Sequence, residues 1–328
     1  MDNVSQDRVR LSTSEAQALA EGALRKIGYD AEEARIIADH VLDAALCGYE
    51  YSGLPKILNV AEHRQLRQPR RQMRALRETP ASALYDGGNN NGMVAMYRAT
   101  QVAIAKAREH GFAVVGVNNS WVSGRSAHYV EMAARAGLIG IHSVSSRNHV
   151  AAPGSAGPAT GTNPIAFAFP TLHEPFVIDI GAAAFMGTDL IFQERRSAVL
   201  PEGVALDAQG RPTRDPAQVH AILPFGGYKG FALALAMQAL GVLAGSGLSD
   251  DKFYGYLIMA IKPDLLLPLA DFRRHMSEML AGVKAAPRQP GVDEIRLPGE
   301  RASRERARAR REGIVIDRQI YDALLLLG

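Results

Sequence analysis

The chain has 328 residues, enough to bury a sizeable core, and its 47% hydrophobic and 22% charged residues are typical of a globular protein. Its formal net charge of +3 is too small to indicate a nucleic-acid partner, and the single cysteine, Cys47, excludes an internal disulfide and a cysteine-based zinc site. We expect a cytoplasmic protein without a membrane role, because the N-terminal residues are polar and the longest apolar run, Phe231 to Ala244, is short and interrupted.

The first third of the chain is predicted to begin with helices. Ser12 and Glu15 have the spacing of a capping box before a helix that Gly28 would end. Asp30 and Glu33 repeat this spacing before a second amphipathic helix. Cys47 at the end of that helix is expected to be a buried residue without reactivity.

Arginine is dense in two stretches, Arg64 to Arg74 and Arg301 to Arg311. Neither stretch has interleaved aromatic residues or a nucleic-acid module, so both predict solvated surface. The first stretch continues to Pro80 and is interpreted as a linker or a surface segment.

From Ala81 the pattern changes to a mixture of strands and helices. The turn-rich sequence DGGNNNG, Asp86 to Gly92, precedes a helix that Gly111 would end. The remaining predicted elements, in chain order, are a strand in FAVVGV, a helix in HYVEMAARAG, a strand in LIGIHSV, a hairpin formed by PIAFAFP and PFVIDI, an apolar helix in KGFALALAMQALGVLAG, a strand in YGYLIMAI, and helices in ERASRERARARREG and DRQIYDALLLL.

This order of elements predicts an α+β fold in which the two ends of the chain pack together. We expect residues 1–80 to form a helical domain that residues 295–328 complete. Residues 81–294 would then form the domain that binds cofactor and substrate.

The common nucleotide and metal motifs are absent. There is no G-x-G-x-x-G after a strand, because the Gly-rich stretch from Pro153 to Gly161 has other spacing and leads into a strand. Walker and H-E-x-x-H motifs are also missing, and the nine histidines are scattered. We therefore expect no metal site.

Four segments in sequence order have compatible spacing: GTNPIAFAFP, LPEGVALDAQGRPTRDP, LPFGGYKGFALAL and IRLPGERASRERARARREGI. Together they resemble the malate/L-lactate dehydrogenase family, which is unrelated to the Rossmann-type dehydrogenases. That family includes sulfolactate, ureidoglycolate and diketogulonate oxidoreductases and the Δ1-piperideine-2-carboxylate reductases. The resemblance extends from about Glu15 to Leu326.

The resemblance implies a homodimer that binds NADPH or NADH on a largely antiparallel sheet. Glycines 226, 227 and 230 would let backbone amides approach phosphate oxygens, and Lys229 would supply a cation. Arg301 at the start of a helix would add a fork-shaped phosphate partner. The residues that the resemblance assigns to the cofactor are Ile178, Asp179, Ile180, Gly181, Ala182, Ala183, Ala184, Tyr228, Lys229, Gly230, Gly299, Glu300 and Arg301.

The resemblance also assigns residues to the substrate. Asp179 ends an apolar strand, where an acid is costly unless it is paired or functional. It is expected beside the substrate, or else as a buried structural hydrogen-bonder. Thr162 and Asn163 match polar groups near nicotinamide and substrate, with an Asn-Pro turn as the alternative. Lys56 matches a frequent arginine and would meet the substrate carboxylate, unless it is simply exposed to solvent.

The sequence departs from the family at both histidine motifs. Tyr51 and Ser52 occupy the Ser-His positions of S-H-G, and Val122 occupies the histidine position of N-S-x-H-x-G. Either another group, Tyr51, Ser52, His149 or a water molecule, donates the proton, or the substrate needs no strong acid, or catalysis is lost. His40 and His128 are expected to be surface or packing histidines.

Ketone reduction produces an alkoxide-like oxygen that must be protonated, whereas a cyclic iminium already carries its proton. The missing histidines therefore favour an NAD(P)H-dependent oxidoreductase that reduces a cyclic imine-2-carboxylate. The alternatives are a 2-hydroxyacid dehydrogenase of the malate/L-lactate kind and a catalytically silent cofactor-binding protein. A nucleic-acid binder is the most distant alternative.

Overall fold

A computed structural model of the chain describes residues 7–196, 198–247 and 254–327, so the first six residues of the polar N-terminus lie outside the described part. The helices of the described part are α1 Thr13–Lys26, α2 Ala31–Leu46, α3 Pro55–Glu62, α4 Gly92–His110, α5 Ser126–Arg135, α6 Gly187–Arg195, α7 Tyr228–Leu243, α8 Leu269–Lys284, α9 Glu300–Glu312 and α10 Arg318–Leu326. Its strands are β1 Arg8–Leu11, β2 Arg74–Thr79, β3 Ser82–Asn91, β4 Phe112–Trp121, β5 Ile139–Ser145, β6 Val150–Ala151, β7 Pro158–Thr160, β8 Ile165–Phe169, β9 Phe176–Ile180, β10 Ala205–Leu206, β11 Ala221–Ile222, β12 Gly255–Ile261 and β13 Ile314–Asp317.

The predicted helix boundaries follow from local chemistry. Ser12 accepts a hydrogen bond from the Glu15 amide, and Glu15 accepts one at 2.8 Å from the Ser12 amide, which completes the capping box of α1. Asp30 caps α2 in the same position. Gly111 ends α4 in the left-handed conformation, with φ of 85°. Cys47 ends α2 and is buried as expected.

The two ends of the chain meet. β1 pairs antiparallel with β13, and α1 contacts α10. Leu24 and Ile37 from the N-terminal helices share one hydrophobic core with Ile316, Ile320 and Leu324 from the C-terminus. Burial of these apolar side chains stabilises the contact between segments that are about 300 residues apart in the sequence.

A seven-stranded sheet with the order β2-β3-β4-β12-β5-β8-β9 forms the centre of the molecule. Five of its six strand pairings are antiparallel, and only β3 and β4 run parallel. It is therefore unlike the parallel sheet of a Rossmann domain. The helices α4 and α5 pack on it through a second hydrophobic core that includes Val115, Tyr129 and Ile258. The predicted hairpin is confirmed as β8 and β9, which pair antiparallel.

Three regions differ from expectation. The basic stretch before Pro80 is a surface segment, the second of its two interpretations, but it was not expected to contain a strand: residues 74–79 form β2, an exposed edge strand. The DGGNNNG segment is not a free turn, since it continues β3 through a register shift between Asp86 and Asn90. In the solvated arginine helix α9, Arg306 is the exception: it is buried and paired with Glu131.

The apolar helix α7 matches its prediction in position but is not fully covered. Leu235, Val242 and Leu243 are exposed, Leu243 by 66% of its surface. No helix in residues 7–196, 198–247 and 254–327 is long and apolar enough to cross a membrane.

Candidate active site

Of the three segments that the resemblance assigns to a cofactor, two meet just beyond the end of β9, and the third packs on β9 at Val177. The Ala182 carbonyl accepts a hydrogen bond from the Phe225 amide at 3.1 Å, just before the Tyr228 turn. Gly230 packs so closely here that a Cβ atom would lie 2.8 Å from the Ala182 oxygen and would overlap the Phe225 oxygen. Residues 178–184 and 228–230 are thus adjacent because position 230 has no side chain.

The third segment packs on the same strand. Gly299 has φ of 82°, and a Cβ atom there would lie 2.8 Å from the Val177 oxygen. Glu300 accepts a hydrogen bond from the Leu297 amide at 3.1 Å and pairs with Lys284, which fixes this loop. Arg301 is exposed, with its guanidinium 4.5 Å from the centre of the Tyr49 ring.

The helices α6, α7 and α9 begin next to these segments, and none of the three has a side chain that caps its first amides. Their N-cap residues are Met186 for α6, Gly227 for α7 and Gly299 for α9. Uncapped helix N-termini carry free N–H donors and a partial positive charge, which favour phosphate groups.

The turn before α7 is the most open part. Gly226 and Gly227 have φ of 57° and 63°, and Lys229 is exposed beside them. A cavity of about 290 Å³ lies beside Gly299, between β9 and α8. Its wall includes Phe176, Val177 and Leu280, which suit an apolar or aromatic group. These donors and surfaces fit a dinucleotide cofactor.

Asp179 is at the carboxyl-terminal end of β9, where its side chain is accessible from the cleft. Its Oδ2 accepts a hydrogen bond from the Ala127 amide at 2.8 Å. The surrounding protein desolvates the carboxylate and raises its pKa, while the charge of Arg125 and the Ala127 amide oppose this shift. Asp179 is therefore both hydrogen-bonded to protein and available to a ligand.

Tyr51 lies close to two carboxylates, Asp179 and Asp189. Burial raises the pKa of its phenol to about 12, and the negative charges of Asp189 and Asp179 act in the same direction. Ser52 is half-buried on the same short turn. The structure thus brings the predicted Tyr51 and Ser52 to the end of β9.

Lys56 is buried, with 8% of its surface exposed, so the alternative of a solvent-exposed lysine is wrong. Its Nζ donates a hydrogen bond to Thr188 Oγ1 at 3.0 Å. Among the residues that the structure describes, no acid lies within ion-pair distance of it. Burial lowers its pKa to about 8. A buried ammonium without a counter-ion is suited to binding an anion.

Two charged residues of the site were missed at the sequence level. Arg125 donates to Asp43 at 2.7 Å, lies 3.6 Å from Glu131 and lowers the pKa of Asp179 through its charge. Asp189 accepts a hydrogen bond from Gln193 at 2.9 Å, and burial raises its pKa. Their positions in the sequence were the only available signals. Arg125 directly follows Gly124 of the N-S-x-H-x-G-like loop, and Asp189 comes shortly after the apolar PFVIDI strand.

Thr162 adjoins the cofactor segment, because its carbonyl accepts a hydrogen bond from the Ala182 amide at 2.9 Å. Asn163 is 0% exposed. Its side chain accepts from the Ser146 amide and donates to Ala234 and Gln238. This amide lies behind the site and holds its loop, so the expected contact with substrate is corrected to a structural role.

His149 is placed apart from the other candidate donors. Its amide donates to Thr160 and its carbonyl accepts from Ile222, both at 2.7 Å, so its backbone joins the small sheet of β6, β7, β10 and β11. The ring is exposed and makes no hydrogen bond to Tyr51 or Asp179. Within the described ranges, no group of three or more histidine, cysteine or acidic side chains is placed to hold a metal ion.

Comparisons with known proteins agree with this arrangement. Residues 11–325 match the sequence model of the family described as malate/L-lactate dehydrogenase. An L-sulfolactate dehydrogenase of Methanocaldococcus jannaschii is 32% identical over 92% of this chain and 91% of that protein.

Solved structures are similar over nearly the whole chain. A dehydrogenase from Sinorhizobium meliloti is 30% identical, with a TM-score of 0.89 over 98% of each chain. A Δ1-piperideine-2-carboxylate reductase from Pseudomonas syringae is 27% identical, with a TM-score of 0.84 over 98% of this chain and 100% of that one.

Proposed function

Because the chain belongs to the malate/L-lactate dehydrogenase family and is an oxidoreductase that uses a nicotinamide cofactor, we propose that it reduces a cyclic imine-2-carboxylate. The observation that supports this choice is the charge pattern around Tyr51. The negative charges of Asp179 and Asp189 both act on the phenol, and the unpaired ammonium of Lys56 is held by Thr188, the neighbour of Asp189 in α6. An iminium carboxylate carries the complementary pair of charges.

The proton requirement supports the same substrate class. When bound, the cofactor supplies a hydride. A ketone substrate would also need a proton at its oxygen, and Tyr51, with a pKa of about 12, holds its proton tightly at neutral pH. An iminium already carries its proton, so the carboxylates of Asp179 and Asp189 have only to stabilise its positive charge. The residues of this chain would therefore bind and orient the substrate and would not need to donate a proton to it.

Lys56 would hold the substrate carboxylate. Its ammonium lies at the first turn of α6, where the uncapped N-terminus adds partial positive charge. Thr188, which already accepts a hydrogen bond from Lys56, keeps the ammonium in place.

The cofactor is proposed to be NADPH or NADH, bound by the amides of Gly226 and Gly227 and by the cations Lys229 and Arg301. Thr162, next to Ala182, would lie near the nicotinamide. These residues bind the phosphates and orient the ring, and the cavity beside Gly299 would take an apolar part of the cofactor.

We also propose that two copies of this chain form a homodimer through α7, in the cytoplasm. Leu235, Val242 and Leu243 give this helix an apolar exposed face, which is costly in water. Leu235→Asp should convert the dimer to a monomer in analytical ultracentrifugation. A wild-type chain that sediments as a monomer would contradict this part of the proposal.

A 2-hydroxyacid dehydrogenase is the second candidate. It is favoured by the similarity to the L-sulfolactate dehydrogenase, which covers 92% of the chain. For that reaction Tyr51, Ser52, His149 or a water molecule would have to deliver a proton, and Tyr51 is close enough to Asp179 for the charge of this carboxylate to act on its phenol.

The deciding experiment measures loss of NADPH and NADH absorbance with Δ1-piperideine-2-carboxylate, Δ1-pyrroline-2-carboxylate, pyruvate and oxaloacetate. Turnover of the imines at least tenfold faster than of the 2-oxo acids is expected. Faster turnover of the 2-oxo acids would support the second candidate instead. Cofactor binding, measured separately by fluorescence, without turnover of any substrate would indicate a catalytically silent protein.

A further inference from the structure

The loop before α5 is held at one end by a buried histidine. His40, in α2, is 2% exposed, and its Nε2 accepts a hydrogen bond from the Arg125 amide at 2.7 Å. Since Nε2 accepts, the proton of the neutral ring is on Nδ1. This Nδ1 has no hydrogen-bond partner in the part of the chain that the structure describes. Within the described residues, the ring of His40 therefore makes one hydrogen bond, the one to the Arg125 amide.

The loop is shaped to allow this contact. Gly124, with φ of 73°, passes directly over the imidazole, and a Cβ atom at this position would overlap the ring of His40. An ordinary side chain at position 124 would therefore separate His40 from the Arg125 amide.

The first turn of α5, which follows this loop directly, is bound to Asp179. The Ala127 amide, two residues after Arg125, donates to Asp179 Oδ2 at 2.8 Å. Two hydrogen bonds therefore hold the backbone from Arg125 to Ala127, one to a buried imidazole and one to the carboxylate at the end of β9. A displacement at Arg125 would be transmitted to the donor that Asp179 uses.

A residue that only filled space here would be apolar, because a buried polar ring with one unpaired nitrogen costs free energy. We propose that His40 is a positioning residue for the reaction: it holds the backbone of residues 124–127 so that the Ala127 amide stays on the carboxylate of Asp179. This inference rests on the proposed role of Asp179 beside the substrate. It replaces the expectation of a surface or packing histidine.

The charges around both groups agree with this role. His40 faces His128, with ring centres 4.5 Å apart, and the charges of Asp43, Arg125 and Lys56. Burial keeps its pKa well below the ordinary range, so the ring stays neutral and Nε2 remains an acceptor.

Asp179 faces Arg125 and Glu131, and its charge acts on Tyr51. A hydrogen bond to the charged carboxylate lowers its pKa. Loss of the Ala127 donor should therefore raise the pH at which Asp179 takes up its proton.

The test compares His40→Leu, which removes the acceptor, with His40→Gln, whose amide oxygen can replace Nε2. The carboxyl of Asp179 is titrated by NMR with isotope-labelled aspartate, assigned by its absence in Asp179→Asn. In His40→Leu the midpoint should move to higher pH, and His40→Gln should restore most of the wild-type value. kcat for the imine should fall roughly 10- to 100-fold in His40→Leu, because a misplacement of about 1 Å costs this much, and KM for the cofactor should not change.

His142→Leu is the matched control, because His142 is also fully buried but makes no hydrogen bond to the loop. An unchanged Asp179 titration in a folded His40→Leu variant would overturn the inference, whether or not the enzyme turns over imines. Equal losses in His40→Leu and His40→Gln would also overturn it, since they would indicate a role of shape alone. Failure of the proposed function would be seen separately, as absence of turnover in the wild type.

Discussion

The proposed cofactor side and the proposed substrate side of the site differ in the chemical groups that form them. On the cofactor side, contacts are offered by backbone amides at three uncapped helix N-termini and by glycines that allow close approach. On the proposed substrate side, the groups are four side chains, Tyr51, Lys56, Asp179 and Asp189. A backbone site tolerates many side-chain changes, whereas a side-chain site changes its chemistry with one substitution.

The largest effect is expected when a side chain is added on the proposed cofactor side, where the contacts come from the backbone. Gly230→Ala puts a Cβ atom 2.8 Å from the Ala182 oxygen and against the Phe225 oxygen, so residues 182 and 225 must separate. We expect cofactor affinity to fall by roughly 100-fold or more, a loss of about 3 kcal/mol. Isothermal titration with NADPH and NADH measures it.

Gly22→Ala, inside α1, is the control for this variant. A Cβ atom there meets nothing within 4 Å, and the change should stabilise the helix by about 0.5–1 kcal/mol. If Gly230→Ala bound both cofactors as tightly as Gly22→Ala, the placement of the cofactor beside Ala182 would be wrong.

A pair of lysine substitutions separates the two sides. Lys56→Met removes the buried ammonium and should raise KM for the imine by about 10- to 100-fold, because a charge-assisted bond contributes about 1.5–3 kcal/mol. Lys229→Met, at the exposed α7 turn, should instead weaken cofactor binding with little change in substrate KM. Steady-state kinetics with each ligand varied in turn distinguishes them. If both variants changed substrate KM and cofactor binding to the same extent, the assignment of Lys56 to the substrate and of Lys229 to the cofactor would be wrong.

The buried charge of Lys56 should also appear in the stability of the protein. Its pKa is about 8 in the folded chain and 10.5 in the unfolded reference, so between these values the unfolded chain binds more protons. Stability should therefore rise with pH from about 8 to 10.5, by up to roughly 3 kcal/mol, and the penalty is fully present below pH 8.

Urea unfolding of wild type and Lys56→Met at several pH values measures this effect. The difference in unfolding free energy between the two proteins should favour the variant at pH 7 and shrink towards pH 10. A difference that does not vary with pH would show that Lys56 is not held as a desolvated cation.

Local features of the sequence were sufficient for much of the fold. The Ser12 capping box, the Gly111 helix end and the β8–β9 hairpin depend on neighbours within a few residues, and each was predicted correctly. The resemblance assigned the segments around Gly230 and Gly299 to the cofactor; Gly230 packs against Ala182, and Gly299 packs against Val177. Their meeting itself depends on tertiary packing that no local pattern encodes.

Tertiary packing also brings together residues of the proposed substrate side that no local pattern connects. Asp189 and Arg125 lie more than 60 residues apart in sequence and are relevant only because their elements meet at β9. Asn163, predicted to bind substrate, is buried behind the loop, since a turn-forming amide finds backbone partners when helix α7 packs on it. The role of a polar side chain depends on which element covers it.

The smallest expected effect concerns the choice between substrates. Asp189→Asn keeps the size of the side chain and the hydrogen bond with Gln193 but removes a negative charge near Tyr51. The kcat/KM ratio of imine to 2-oxo acid should fall by about tenfold, which corresponds to about 1.4 kcal/mol, because only the iminium gains from the carboxylate. Glu194→Gln, on the exposed face of α6, removes the same charge from the same helix and should leave the ratio unchanged. If Asp189→Asn and Glu194→Gln had equal effects, the general field of the helix, and not a specific contact, would decide the substrate.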